Sequence, residues 1–208
     1  MKTLADFGFN GKSALTYCIK ESEYKTVAQA VASLALFTNP KSIEKTQGKN
    51  IFKIIRSMAK RGNSEDINGL RVLFDDNTAP TDTFLWANGI KRKEYVDVTF
   101  CHILAQSDNV ELYTSLANIC MIPTFLAKLT DTDASIKAFL SYRAYKLYGS
   151  FLHNSSSLTK PKLYDELTWA EANRPIDNLE EAFLSAMKTK PRNRATISAR
   201  ELGWYYSN

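Results

Sequence analysis

Long apolar runs are missing from this chain. Nothing in its 208 residues approaches the ~20 consecutive apolar residues that span a bilayer. The first eight residues, Met1-Lys2-Thr3-Leu4-Ala5-Asp6-Phe7-Gly8, hold no apolar h-region, so no secretory signal is expected. Cysteine is scarce: Cys18, Cys101 and Cys120 are odd in number and widely spaced, which excludes a disulfide framework. They read as reduced, buried thiols in a cytosolic setting. Histidine is scarcer still, with only His102 and His153, so a zinc site lacks its clustered ligands and acid–base chemistry lacks its usual players. Cys101 and His102 are adjacent, but no further Cys/His pair stands at ligand spacing. No Walker loop, GxGxxG or GxSxG occurs. The acidic pairs Asp75-Asp76 and Asp131/Asp133 fall at turn or cap positions rather than forming a cluster for Mg²⁺. No enzyme, cofactor or metal is therefore expected.

What is present is a globular balance: 44% hydrophobic and 24% charged residues, enough to bury a full core in one unit. The net charge of +5 suits a polyanionic partner provided the cations share a face.

Residues 1–12 read as an N-terminal arm made adhesive by Leu4, Phe7 and Phe9. It would pack either on its own domain or on a neighbouring copy. A helix is expected from Thr26, capped against Gln29, with Val27, Ala30, Val31, Leu34 and Ala35 on one face and a break at Asn39-Pro40. A second helix is expected from Asn50 to Gly62. Ile51, Ile54, Ile55 and Met58 form its apolar stripe, and Lys53, Arg56, Lys60 and Arg61 its cationic face. Leu70, Val72 and Phe74 alternate as a strand, Asp75–Pro80 reads as a turn, and Thr83–Trp86 as the return strand. That gives one β-hairpin near 70–88.

Lys91, Arg92 and Lys93 form a second basic cluster, and helical patterning resumes over 97–150. Within it, Asp133 starts a helix that ends at Gly149, with Ile136, Phe139, Leu140, Ala144 and Leu147 inward. Lys137, Arg143 and Lys146 alternate along it with Tyr142, Tyr145 and Tyr148, which suits either phosphate and base contacts or an aromatic interface. Residues 153–162 read as a polar linker. A last helix is expected from about Pro175, and 191–208 as a basic C-terminal tail ending in Trp204 and Tyr205. The fold expected is mainly α: a helical core over 13–190 with one hairpin and extended N- and C-terminal arms.

Four segments, in order, resemble the coat-protein core of flexible filamentous plant viruses, most closely the potyvirus type. Gly62-Asn63-Ser64-Glu65-Asp66-Ile67-Asn68-Gly69 is similar to that family's Gly-Thr-Ser-Pro-Asn-Ile-Asn-Gly. Val72 and Asp75 follow it as strand and acidic turn. Thr99-Phe100-Cys101-His102-Ile103, with Ala105, is similar to Thr-Phe-Arg-Gln-Ile. Pro123 and Phe125, then Asp133, Ser135, Ile136 and Phe139, keep the family's spacing. The likeness spans roughly residues 50–148.

The resemblance implies a viral coat or nucleocapsid protein that polymerises into a helical filament around single-stranded RNA, located in the virion and the host cytoplasm. It implies self-association through both arms, by Leu4, Phe7, Phe9, Trp204 and Tyr205, and no membrane partner. The family's RNA-contacting Ser, Arg and Asp fall on Ser64, Cys101 and Tyr142, so two of the three are replaced. Either RNA is held instead by Lys60, Arg61, Lys91, Arg92, Lys93 and Arg143, or the chain is a helical interaction or regulatory module with a coat-like fold that packages no RNA.

Overall fold

The computed structural model describes residues 4–94, 96–152 and 158–205, the side chains of Leu4, Ala5 and Ser150 excepted. His153 and the first half of the expected linker lie outside the described residues. A short 3₁₀ turn at Leu4–Phe7 leads into α1 (Gly11–Glu21), capped by the Asn10 side chain, which accepts from the Ser13 amide. The sequence reading had no helix there. Next comes α2 (Val27–Leu34), capped by Thr26 as expected, and β1 (Leu36–Phe37). The helix stops at Leu34, ahead of the expected break, and Asn39-Pro40 instead opens α3 (Pro40–Thr46), with Asn39 as cap and proline in the first turn, where its missing N–H costs nothing.

The expected basic helix over 50–61 does not exist. In its place is β2 (Ile54–Arg56). Ile51, Phe52, Ile54 and Ile55 are all buried, and a nearly continuous apolar run is what a strand covered on both faces requires. β2 pairs in parallel with β4 (Leu70–Asp75). On the other side of β4 lies β3 (Ser64–Ile67), antiparallel, so the real hairpin precedes the expected one. Its turn is Asn68-Gly69, with φ of 51° and 79°. Left-handed backbone at both central residues is the twist-matched two-residue hairpin geometry.

The expected return strand at 83–86 is instead part of α4 (Thr78–Ala87). Two carboxylates decide this: Asp76 accepts from the Thr78 amide at 2.7 Å and Asp75 from the Ala79 amide at 3.1 Å. They satisfy first-turn amides that would otherwise be orphaned. A 3₁₀ turn at Arg92–Glu94 then leads to β5 (Val98–His102), and a long loop returns as β6 (Ile119–Pro123). Both strands lie where helix was expected. The second sheet has the order β1-β6-β5, all antiparallel, with β5 on the outside.

Two short helices, α5 (Thr124–Ala127) and α6 (Leu129–Thr132), precede α7 (Ala134–Tyr148), which has the expected Asp133 cap and Gly149 end. The last two are α8 (Leu179–Thr189), capped by Asn178, and α9 (Arg194–Leu202). Helix accounts for 48% of the chain and strand for 14%, so the fold is mixed α/β with two small sheets and not a mainly α core with one hairpin.

The extended C-terminal arm is also corrected. α9 packs with Ala195, Thr196 and Ser198 buried, and Trp204 stacks on Phe52 at 5.1 Å and Phe183 at 5.6 Å. The Tyr205 amide donates to the Ile51 carbonyl at 3.2 Å. Trp204, expected to grip a neighbour, packs on its own core, and Tyr205 is tied to Ile51 by its backbone amide. Truncating the fully buried Phe52 to alanine would cost about 3–5 kcal/mol. Among the described residues no helix is long and apolar enough to cross a membrane.

Candidate nucleic-acid interface

β5 is the outer strand of its sheet, and a polar groove follows its unpaired edge. One section, about 490 Å³, lies between β5 and the start of α4, with Arg56, Asn77, Arg92 and Phe100 in its wall. The next, about 310 Å³, shares Arg56, Asn77, Thr99 and Phe100 and runs on to Cys101, His102, Lys128 and Asp131. The two sections share these four residues, and their walls carry Arg56, Arg92 and Lys128 together with the carboxylates Asp76 and Asp131 and the Phe100 ring. A larger hollow between α2, α7 and residues 161–167 is walled mainly by apolar carbon, with Lys162 and Glu166 also in its lining.

The sequence-expected RNA residues do not converge. Ser64, the first residue of β3, is half-exposed at a sheet edge. Its neighbouring cations are already neutralised. Lys60 reaches Glu65 at 2.7 Å and lies over the Phe74 ring; Arg61 reaches Asp76 at 3.0 Å and Asp75 at 3.7 Å; Arg71 reaches Asp66 at 3.2 Å. Asp75 is fully buried, and Arg194 from α9 approaches the same oxygen at 3.8 Å. Burial pushes its carboxyl up to about 6, with the neighbouring Asp76 charge adding to that, against two backbone hydrogen bonds and Arg61 that pull it down.

Lys91 and Lys93 are exposed outside the groove walls, while Arg92 lines the groove and reaches the buried Asp82 at 3.4 Å. Asp82 also takes Lys190 at 3.7 Å and the Asn193 amide at 3.0 Å, fastening the entry to α9 onto α4. Tyr142 and Arg143 belong to a separate cluster. The Tyr142 ring meets Tyr164 edge-on at 4.7 Å, and Arg143 donates to the Ala170 carbonyl and lies over Trp169. Of the residues assigned through the resemblance, Arg92 and Cys101 line the groove, and Arg61 touches it through Asp76. Phe7 and Phe9 are exposed, at 70% and 52%; the Leu4 side chain lies outside those described. Cys18 is exposed, against expectation, while Cys120 is buried opposite Cys101 across the β5–β6 pair, both as free thiols.

Sequence reasoning passed over the residues that shape the groove. Arg56 was absorbed into a helix that does not form. Its guanidinium has no carboxylate partner among the described residues, and neither does the Lys128 ammonium. His102 was discarded for want of metal-site neighbours, yet it sits at the end of β5 with Nε2 at 2.9 Å from the Tyr113 carbonyl. Its ring stacks on Tyr113 at 5.3 Å and 14°. Burial lowers its pKa and Arg56 lowers it further, the carbonyl contact opposing them.

The loop 103–118 that supplies this carbonyl is held by buried amides and hydroxyls. Asn118 accepts from the Leu104 amide at 2.7 Å and donates to the Leu104 and Leu112 carbonyls. Asn50, expected as a helix cap, instead donates to the Val110 carbonyl and accepts from the Thr114 amide at 2.7 Å. Thr114 accepts from the Ile51 and Phe52 amides, and Ser115 donates to the Gly48 carbonyl. Gly48 cannot be replaced there: its φ is +66°, and a Cβ would fall 2.0 Å from the Phe151 carbonyl oxygen. No protein-family model, curated protein or solved structure matches the chain. The coat-protein resemblance therefore stands on its quoted residues alone, without the mainly α fold it implies.

Proposed function

We propose that the chain binds single-stranded nucleic acid along the free edge of β5. The observation that carries this reading is a pair of cations, Arg56 and Lys128, that flank a polar groove without carboxylate partners. Elsewhere on the surface the lysines and arginines near Ser64 are already matched with acids. Phosphates exchange solvent counterions for such free cations, which gives salt-dependent, sequence-tolerant affinity. Phe100 offers a ring face beside them, and Asn77 and Thr99 offer amide and hydroxyl groups. The outer edge of β5 leaves strand amides unpaired by a neighbouring strand, which suits an extended polymer.

In the fuller form of this reading, copies of the chain polymerise along viral RNA as a coat protein. The exposed Phe7 and Phe9 support it, since an apolar N-terminal segment can dock on a second copy and a head-to-tail contact that does not close builds a helix. Trp204 does not support it, because its ring packs on Phe52 and Phe183 of its own core.

The test is fluorescence polarisation of a labelled 20-nucleotide RNA with the purified chain at 50 and 200 mM salt, with negative-stain images of the same mixture. Binding that weakens with salt is expected, and its absence refutes the groove. Flexuous rods that vanish when residues 1–9 are deleted would carry the coat form; particles that stay monomeric with RNA bound would remove it and leave the groove reading intact.

A further inference from the structure

Antiparallel neighbours such as β5 and β6 can be joined by two residues. Here they are joined by the loop 103–118, and its shape is fixed by Asn50, Thr114, Ser115 and Asn118, all fully buried. So much buried hydrogen bonding is spent on one outcome at the groove: the Tyr113 carbonyl and ring are held against His102. A carbonyl oxygen only accepts, so Nε2 carries the proton and Nδ1 of the neutral ring keeps its lone pair. No described group donates to Nδ1. The ring has a fixed tautomer, a fixed plane, and a place in a groove wall with Arg56 and Lys128.

We infer that the groove also hydrolyses the strand it binds, with His102 as general base on water; this rests on the nucleic-acid reading above. Nδ1 takes a proton from a water molecule as the water oxygen forms a bond to a backbone phosphorus. The bond from phosphorus to one sugar oxygen breaks, and that oxygen leaves with the electron pair and takes a proton from solvent. The imidazolium returns its proton to solvent, so one water is added across one phosphodiester and nothing is oxidised or reduced. Arg56 and Lys128 meet the negative charge that grows on the phosphoryl oxygens, where fixed cations act most strongly. Burial and Arg56 keep the ring neutral, the form that accepts a proton. Cys101 does not compete as the nucleophile, because burial pushes its thiol above the ordinary range.

The experiment uses the full chain with 5′-labelled single-stranded RNA and DNA 20-mers, in EDTA and in Mg²⁺, read on denaturing gels. Binding is measured in parallel by polarisation. Cleavage of at least one strand in one condition is expected, slowed ~100-fold or more in His102→Asn when each protein is assayed at a concentration that saturates its own measured binding. Binding without cleavage by the native chain overturns this inference and leaves the binding reading standing; no binding at all overturns both. Cleavage at the native rate by a folded His102→Asn protein also overturns it, as a contaminant would give that result. Should that variant not fold, carbethoxylation in a His153→Gln background, where His102 is the sole histidine, reads the same role. Loss of cleavage reversed by hydroxylamine supports the base, and unchanged cleavage removes it.

Discussion

Two regions of the surface make opposite use of charge. The β2-β4-β3 sheet carries the Ser64 loop, and each described cation beside that loop is answered by an acid within 4 Å. The groove follows β5 of the β1-β6-β5 sheet, but its free cations come from outside that sheet: Arg56 ends β2 and Lys128 joins α5 to α6, neither in an ion pair with a described carboxylate, while buried amides hold a histidine in one orientation. The first pattern stabilises a fold, and the second leaves charge free for a partner. Counting lysines and arginines along the chain does not separate the two, since both regions look equally basic until the acids are placed.

The largest effect that would break the comparison lies in the loop. Asn118→Ala strands the Leu104 amide and the Leu104 and Leu112 carbonyls, so a loss of about 3 kcal/mol or more is expected in urea unfolding. A loss under ~1 kcal/mol would mean the loop is not held as described.

A similar size is expected from Asp75, with a pH signature. Its carboxyl is raised in the fold to about 6, above its ordinary value of 3.8. Its contribution is therefore fully present below about pH 4 and lost as pH rises through 6, on the order of 3 kcal/mol. Native stability should fall from pH 4 to 7 relative to Asp75→Asn; parallel profiles for the two proteins would contradict this.

At the groove, replacing Arg56 and Lys128 by alanine should weaken RNA binding ~10-fold or more at 100 mM salt and flatten its salt dependence by about 1.4 in log–log slope. The smallest effect belongs to the Ser64 side. Lys60→Ala removes a half-exposed pair and should change stability by less than ~0.5 kcal/mol. A change above 1 kcal/mol would show that the pair does more than neutralise charge.

Part of the helical framework, α2 and α7, was readable from local chemistry. The Thr26 and Asp133 caps and the Gly149 end stand where side-chain patterns place them. The strand 70–75 was readable from its alternation. The segment Ile51–Ile55 was not, because an apolar run of that length fits a helix stripe or a covered strand, and only the partner β4, well downstream, decides between them. Asp75 and Asp76 looked like a turn because their acceptance of the α4 amides is local but their burial is not. Asn68-Gly69 is a hairpin-turn pair in the sequence, but the alternation at 70–74 was paired with 83–86 and not with the residues before that turn. The groove was the least legible feature. His102 draws its orientation from a backbone carbonyl that has no side-chain signature, and Asn118 looks like any polar residue until its three hydrogen bonds are seen.

The most direct test titrates one labelled RNA 20-mer against three proteins at 100 mM salt: the native chain, Arg56→Ala/Lys128→Ala, and Lys60→Ala/Arg71→Ala. Both double variants lose the same two positive charges. Binding lost in the first and kept within ~2-fold in the second is the predicted result. Equal losses in both would mean that net charge alone attracts the strand and that the β5 groove is not where it lies.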